Sequence, residues 1–116
     1  MIPRVLLGAL AVLVLAAVPS SAAAKTCNIA SVQRKLGPTY VTSLTVSHVS
    51  CNGGKAVVRA YYRCRKASGG VKGRCHTRVL GYSCSEKRSS IRTQFSAKVT
   101  CRNGSRRVVH TYTQFT

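Results

Sequence analysis

The chain is 116 residues long and sets 19 Lys and Arg against one acidic side chain, a formal charge of +18 with histidines neutral. That single carboxylate, Glu86, leaves almost nothing for paired-carboxylate catalysis or for an acidic metal site. A folded part this small and self-repelling benefits from covalent help beyond a modest core, and six cysteines can supply it.

Met1 to Ala24 reads as a secretory signal peptide. Arg4 supplies the positive start, Val5 to Val18 the apolar stretch, Pro19-Ser20-Ser21 the break, and Ala22-Ala23-Ala24 the small residues for cleavage. The apolar run is shorter than the roughly 20 residues that cross a bilayer, so an uncleaved anchor is the alternative. Ala24-Lys25-Thr26 places a charge where a lipidation motif at Cys27 needs small apolar residues. Cleavage leaves residues 25–116 as one domain, secreted and without a stable membrane span. Arg4 leaves with the signal, which takes the charge from +18 to +17.

Tyr40 to Ser50 is β-branched and alternates, with Leu44, Val46 and His48 on one face, which predicts a strand. Asn52-Gly53-Gly54 interrupts it, and Asn52 is placed to cap a helix over Lys55 to Lys66. Val57, Ala60, Tyr61 and Cys64 form that helix's apolar stripe. Gly69 to Gly73 reads as a flexible loop, Arg78 to Ser85 as a short strand, and Glu86 to Ser90 as a polar turn.

From Ile91, apolar residues alternate with polar ones through Phe95, Ala97, Val99 and Cys101. Asn103-Gly104 suits a type I′ hairpin, with Arg106 to Thr116 as the returning strand. That turn sets Ala97 opposite His110 and Phe95 opposite Tyr112, so both partners join the apolar face, while Arg92 and Lys98 point away. The order β-α-β-β-β predicts an α+β domain, one helix packed on a small antiparallel sheet.

Cys27, Cys51, Cys64, Cys75, Cys84 and Cys101 make an even number in a small exported chain, which predicts three structural disulfides. Cys64–Cys75 is the favoured pair because it closes the loop Ala67-Ser68-Gly69-Gly70, and the other four cysteines are left unassigned. Their spacings of 24, 13, 11, 9 and 17 residues contain no C-x-x-C pair, against zinc and against redox catalysis. No metal or cofactor is implied.

Val49-Ser50-Cys51 leading into Ala56 to Tyr62, Gly81-Tyr82-Ser83-Cys84, and Val99-Thr100-Cys101-Arg102-Asn103-Gly104 form a further pattern. Together they resemble a group of small, secreted, cysteine-containing, uncharacterised bacterial proteins, over roughly Leu44 to Tyr112. The resemblance implies export and a fold type. It carries no functional residue onto this chain.

Two readings of function follow. The first is an exported, non-enzymatic protein that binds envelope polymers, anionic lipid or nucleic acid. Lys55, Arg59, Arg63 and Lys66 stack on one helix face, and Arg102, Arg106 and Arg107 crowd the hairpin turn. Arg63, Arg65 and Lys66 continue the helix charge toward Lys72 and Arg74. Nucleic-acid binding would be non-specific, since no binding module is present, although Tyr61 or Tyr62 could stack on bases.

The second is a secreted ribonuclease using Glu86 as base, His110 as acid and an arginine such as Arg92 for phosphorane charge. The expected hairpin puts Arg92 and His110 on opposite sheet faces, and Glu86 in a turn, which weighs against it. His48 and His76 form no site by spacing. An inhibitor or toxin presenting the Cys64–Cys75 loop fits the stapled scaffold but has no sequence feature of its own.

Overall fold

The computed structural model describes Gly8, Ala11 and residues 23–116. The signal-peptide expectation therefore lies outside the described residues, apart from Gly8, Ala11, Ala23 and Ala24. Five strands and one long helix follow: β1 Lys25–Thr26, β2 Tyr40–Ser47, α1 Cys51–Gly69, β3 Ser83–Ile91, β4 Gln94–Asn103 and β5 Arg106–Phe115. The strands form one antiparallel sheet in the order β1-β2-β5-β4-β3, and α1 covers one of its faces over β2 and β5. This is the expected α+β class with a two-residue edge strand, β1, added.

β2 turns Val41, Leu44 and Val46 toward the helix, and a bulge between Val41 and Ser43 brings Val41 onto that face. His48, at φ 56°, ends the strand rather than extending it. Ser50, not Asn52, caps α1, its hydroxyl accepting from the Gly53 amide at 3.0 Å. Asn52-Gly53-Gly54 consequently forms the first helical turn instead of a break. Gly54 lets that turn approach β2, since a Cβ there would lie 2.6 Å from the Val46 Cγ1.

The helix also ends later than the Lys66 boundary. Gly70, at φ 69°, donates its amide to the Lys66 carbonyl, and a 3₁₀ turn spans Gly70–Lys72. The Gly-rich loop is therefore ordered structure. Gly73 runs against the helix backbone so closely that a Cβ would meet the Arg65 carbonyl oxygen at 2.0 Å.

Two strand boundaries differ from expectation. β3 begins at Ser83 and runs through Glu86 to Ser90, the stretch expected to be a turn. Cys84, Glu86 and Arg88 face the helix layer and alternate with exposed Ser83, Ser85, Lys87 and Ser89. The period is two, but both faces are polar, so no apolar alternation marks it. Ile91 ends β3 and is 68 % exposed, rather than starting the apolar face of β4. β3 is a sheet edge, and its inward-pointing charges are a recognised device against edge-to-edge pairing.

The β4–β5 turn lies at Gly104-Ser105, not Asn103-Gly104. Among the described residues only Gly104 of this turn has positive φ, at 59°, as a type II′ turn requires; a type I′ turn would need two such residues. The register shifts by two, so Ala97 pairs with Tyr112, Val99 with His110 and Phe95 with Gln114. A two-residue shift preserves the face, and His110 and Tyr112 still point inward.

Three disulfides join these elements: Cys27–Cys51, Cys64–Cys75 and Cys84–Cys101. The first ties the segment after β1 to the helix start. The second holds the segment beyond the 3₁₀ turn against the helix end, and the third staples β3 to β4 at a register pair.

Candidate functional site

Between α1 and the sheet lies a polar cluster built around Glu86. Its side chain is 5 % exposed, and its two oxygens have separate partners. Oε1 accepts from the Tyr61 hydroxyl at 3.2 Å and from the Tyr112 hydroxyl. Oε2 accepts from Arg88 Nε at 2.7 Å and lies 2.6 Å from its Nη2, while half-exposed Arg74 approaches to 3.5 Å. Period two in β3 puts Glu86 and Arg88 side by side on the inner face. The helix supplies Tyr61 and the central strand β5 supplies Tyr112.

Arg65 is fully buried, so it leaves the cationic run in which Arg63 and Lys66 stay exposed. It sits four residues after Tyr61, on the same inward stripe. Its Nη1 donates to the Val71 carbonyl at 2.9 Å, and its Nη2 to the Gln114 side-chain oxygen at 3.1 Å. Its guanidinium lies 4.6 Å from the Tyr112 ring centre, and that of Arg88 lies 3.9 Å from the Phe95 ring centre. Arg88 also donates to the Lys72 and Gly73 carbonyls at 2.9 and 3.0 Å. Three successive carbonyls of the turn after the helix thus receive two buried guanidiniums.

His110 is fully buried beside this cluster, edge-on to Tyr61 and stacked on Tyr112, and neither ring nitrogen has a partner. Burial, and then the nearby Arg65 charge, pull its pKa down to about 3. Burial, together with the neighbouring Glu86, raises the pKa values of Tyr61 and Tyr112 above the usual phenol value. Glu86 and His110 therefore share two tyrosine neighbours inside one layer. The Glu86 side chain is 5 % exposed and His110 is fully buried. Arg92, the other expected cation, is exposed in the β3–β4 turn.

The cationic surface has a different distribution. Arg59, Arg63 and Lys66 are exposed along the helix and Lys55 is half-exposed. Arg102, Arg106 and Arg107 are exposed around the β4–β5 turn, and strand alternation places Arg102 and Arg107 on the sheet face away from the helix. Lys87 and Lys98 share that face, and sequence reasoning gave them no role. Tyr61 is internal and Tyr62 packs over Gly37, so neither forms an outward stacking platform. His48 and His76 are exposed.

Among the described residues, no group of three His, Cys, Asp or Glu side chains is placed to hold a metal ion. No described helix is long and apolar enough to cross a membrane. Comparison with protein-family models, with curated proteins and with solved structures finds no match.

Two outcomes follow from the cluster. Glu86→Gln strands the Arg88 charge and should destabilise the fold by about 3 kcal/mol, the low end for a broken buried pair, in a denaturant titration. Lys87→Gln, on the outward side of the same strand, should change stability by less than about 0.5 kcal/mol.

The pH profile should have an acid limb set by His110. Its folded pKa of about 3 lies below the ordinary 6.5, so the unfolded chain binds the extra proton between those values. This contribution is complete above 6.5 and declines by about 1.4 kcal/mol per pH unit as pH falls toward the folded value. His110→Phe should flatten that limb. The raised tyrosine pKa values act on the opposite side, where stability is lost as pH climbs above 10.

Proposed function

We propose that this is an exported, non-enzymatic protein that binds anionic polymers or surfaces through a cationic exterior. One observation carries the reading: the only acidic side chain of the sequence is internal. Of the 19 Lys and Arg, Arg4 lies outside the described residues and Arg65 and Arg88 are buried in the cluster, leaving 16 exposed or half-exposed. No acidic side chain among the described residues shares the surface with them.

A net charge of magnitude about 2–8 suffices to keep a small domain soluble. The excess here creates a long-range attraction for polyanions and a repulsion within the free protein that a bound polyanion relieves. Three disulfides in a small domain are consistent with an oxidising, extracellular setting.

The ribonuclease reading has candidate acid, base and cation in one layer, and the low exposure of the Glu86 side chain and of His110 favours the binding reading over it. Incubation of the disulfide-bonded protein with RNA should leave the RNA intact.

Binding should be driven by counterion release. With about six anionic contacts, affinity for heparin should fall about a thousandfold between roughly 50 and 200 mM salt. Retention on a heparin column that does not change over this range would contradict the proposal.

A further inference from the structure

The sheet has a second face, which no element among the described residues covers. Its residues follow from register. Lys87 lies directly opposite Lys98, and Arg102 directly opposite Arg107. Like charges at such cross-strand positions repel, and the opposite-charge pairing that sheets ordinarily use is missing because Glu86 points inward. The face is therefore a concentrated positive field with nothing of its own to neutralise it.

Hydroxyls fill the positions between these cations. Thr42 and Ser43 meet the Thr111 hydroxyl at 2.6 and 2.5 Å across the β2 bulge, and Ser96 meets Thr113 at 3.3 Å. Each hydroxyl has one donor and two acceptor positions, so capacity for a ligand remains after these contacts. A groove of about 480 Å³ crosses the strands over Lys87, Lys98, Thr42 and Thr111. Two smaller ones, of about 240 and 210 Å³, both include Lys98 and Arg107. Lys98 lines these three, while a further groove of about 390 Å³ on the same face lies over Ser83, Ser85, Thr100 and Arg102.

The aromatic content selects among polyanions. Single-stranded nucleic acid is held on a row of aromatic rings that stack with successive bases. Here Tyr40 and Phe115 sit together at one end of the sheet, edge-on to each other at 5.4 Å, and the middle of the face carries cations, hydroxyls and Val109 but no aromatic ring. A second copy of this chain would bring like charge against like.

We infer that the uncovered sheet face is the binding surface, and that it takes a linear polymer of phosphate-linked polyol units. Phosphates would lie against Lys87, Lys98 and Arg107, and polyol hydroxyls against the Ser and Thr between them. This inference rests on the polyanion reading above and adds to it a place and a ligand chemistry.

The test compares two triple variants of the disulfide-bonded protein that remove equal charge, K87Q/K98Q/R107Q on the sheet and R59Q/R63Q/K66Q on the helix. Labelled poly(glycerol phosphate) and single-stranded DNA are titrated against each at fixed salt, with thermal unfolding confirming that both variants stay folded. The sheet variant should weaken poly(glycerol phosphate) binding about tenfold or more, and the helix variant about threefold or less. Equal losses would overturn the sheet assignment and leave polyanion binding standing. Tighter binding of wild type to DNA than to poly(glycerol phosphate) would overturn the ligand assignment. Failure of the wild type to bind either polymer would remove the polyanion reading itself.

Discussion

Two guanidiniums and one carboxylate share the layer between helix and sheet, and the arrangement of this fold follows from making that tolerable. A buried ion pair gains stability over its desolvation cost only when the remaining donors and acceptors are also satisfied. Glu86 meets this condition through Arg88 and two tyrosine hydroxyls. The surplus cation is spread over the carbonyls of Val71, Lys72 and Gly73 and over the faces of Tyr112 and Phe95. Those carbonyls are in reach because the chain turns back immediately after the helix, where Gly73 passes the Arg65 carbonyl with no room for a side chain.

The Cys64–Cys75 bridge brackets this arrangement. Cys64 precedes Arg65, and Cys75 follows Gly73 by two residues. The bridge therefore limits how far the acceptor carbonyls can drift from the buried guanidiniums. A disulfide typically contributes about 2–4 kcal/mol by restricting the unfolded chain. Here it also holds a buried charge network closed, so covalent and electrostatic stabilisation act on the same turn. The arrangement has an outward consequence too, because a carboxylate used inside is not available to neutralise the exterior.

Much of the fold was legible in the sequence wherever one face is apolar. β4 shows Phe95, Ala97, Val99 and Cys101 at period two, and α1 shows Val57 and Tyr61 at helical spacing. β3 was legible only at its start, where the strand expected over Arg78 to Ser85 overlaps it from Ser83; the rest was not, because its inward positions are Glu86 and Arg88 and its outward ones Ser and Lys. Only pairing with β4 and the tyrosine hydroxyls across the layer make that segment a strand. The Asn103-Gly104 motif located the hairpin but not its register, since the type II′ turn places glycine first. The face assignments survived because the shift was even.

Arg65 escaped notice for the opposite reason: its charge suggested the surface, although it lies four residues from Tyr61 on the stripe that packs inward. The exposed helix cations could be read from spacing. Lys87 could not be placed opposite Lys98 while its segment was taken for a turn, so that pair on the second sheet face was not visible. The most direct measurement of the central claim is carbodiimide labelling of carboxyl groups followed by peptide mass spectrometry. In folded protein Glu86 should resist modification and become reactive only on unfolding. Labelling of native Glu86 at the unfolded rate would contradict an internal carboxylate, and with it an exterior left without acidic side chains.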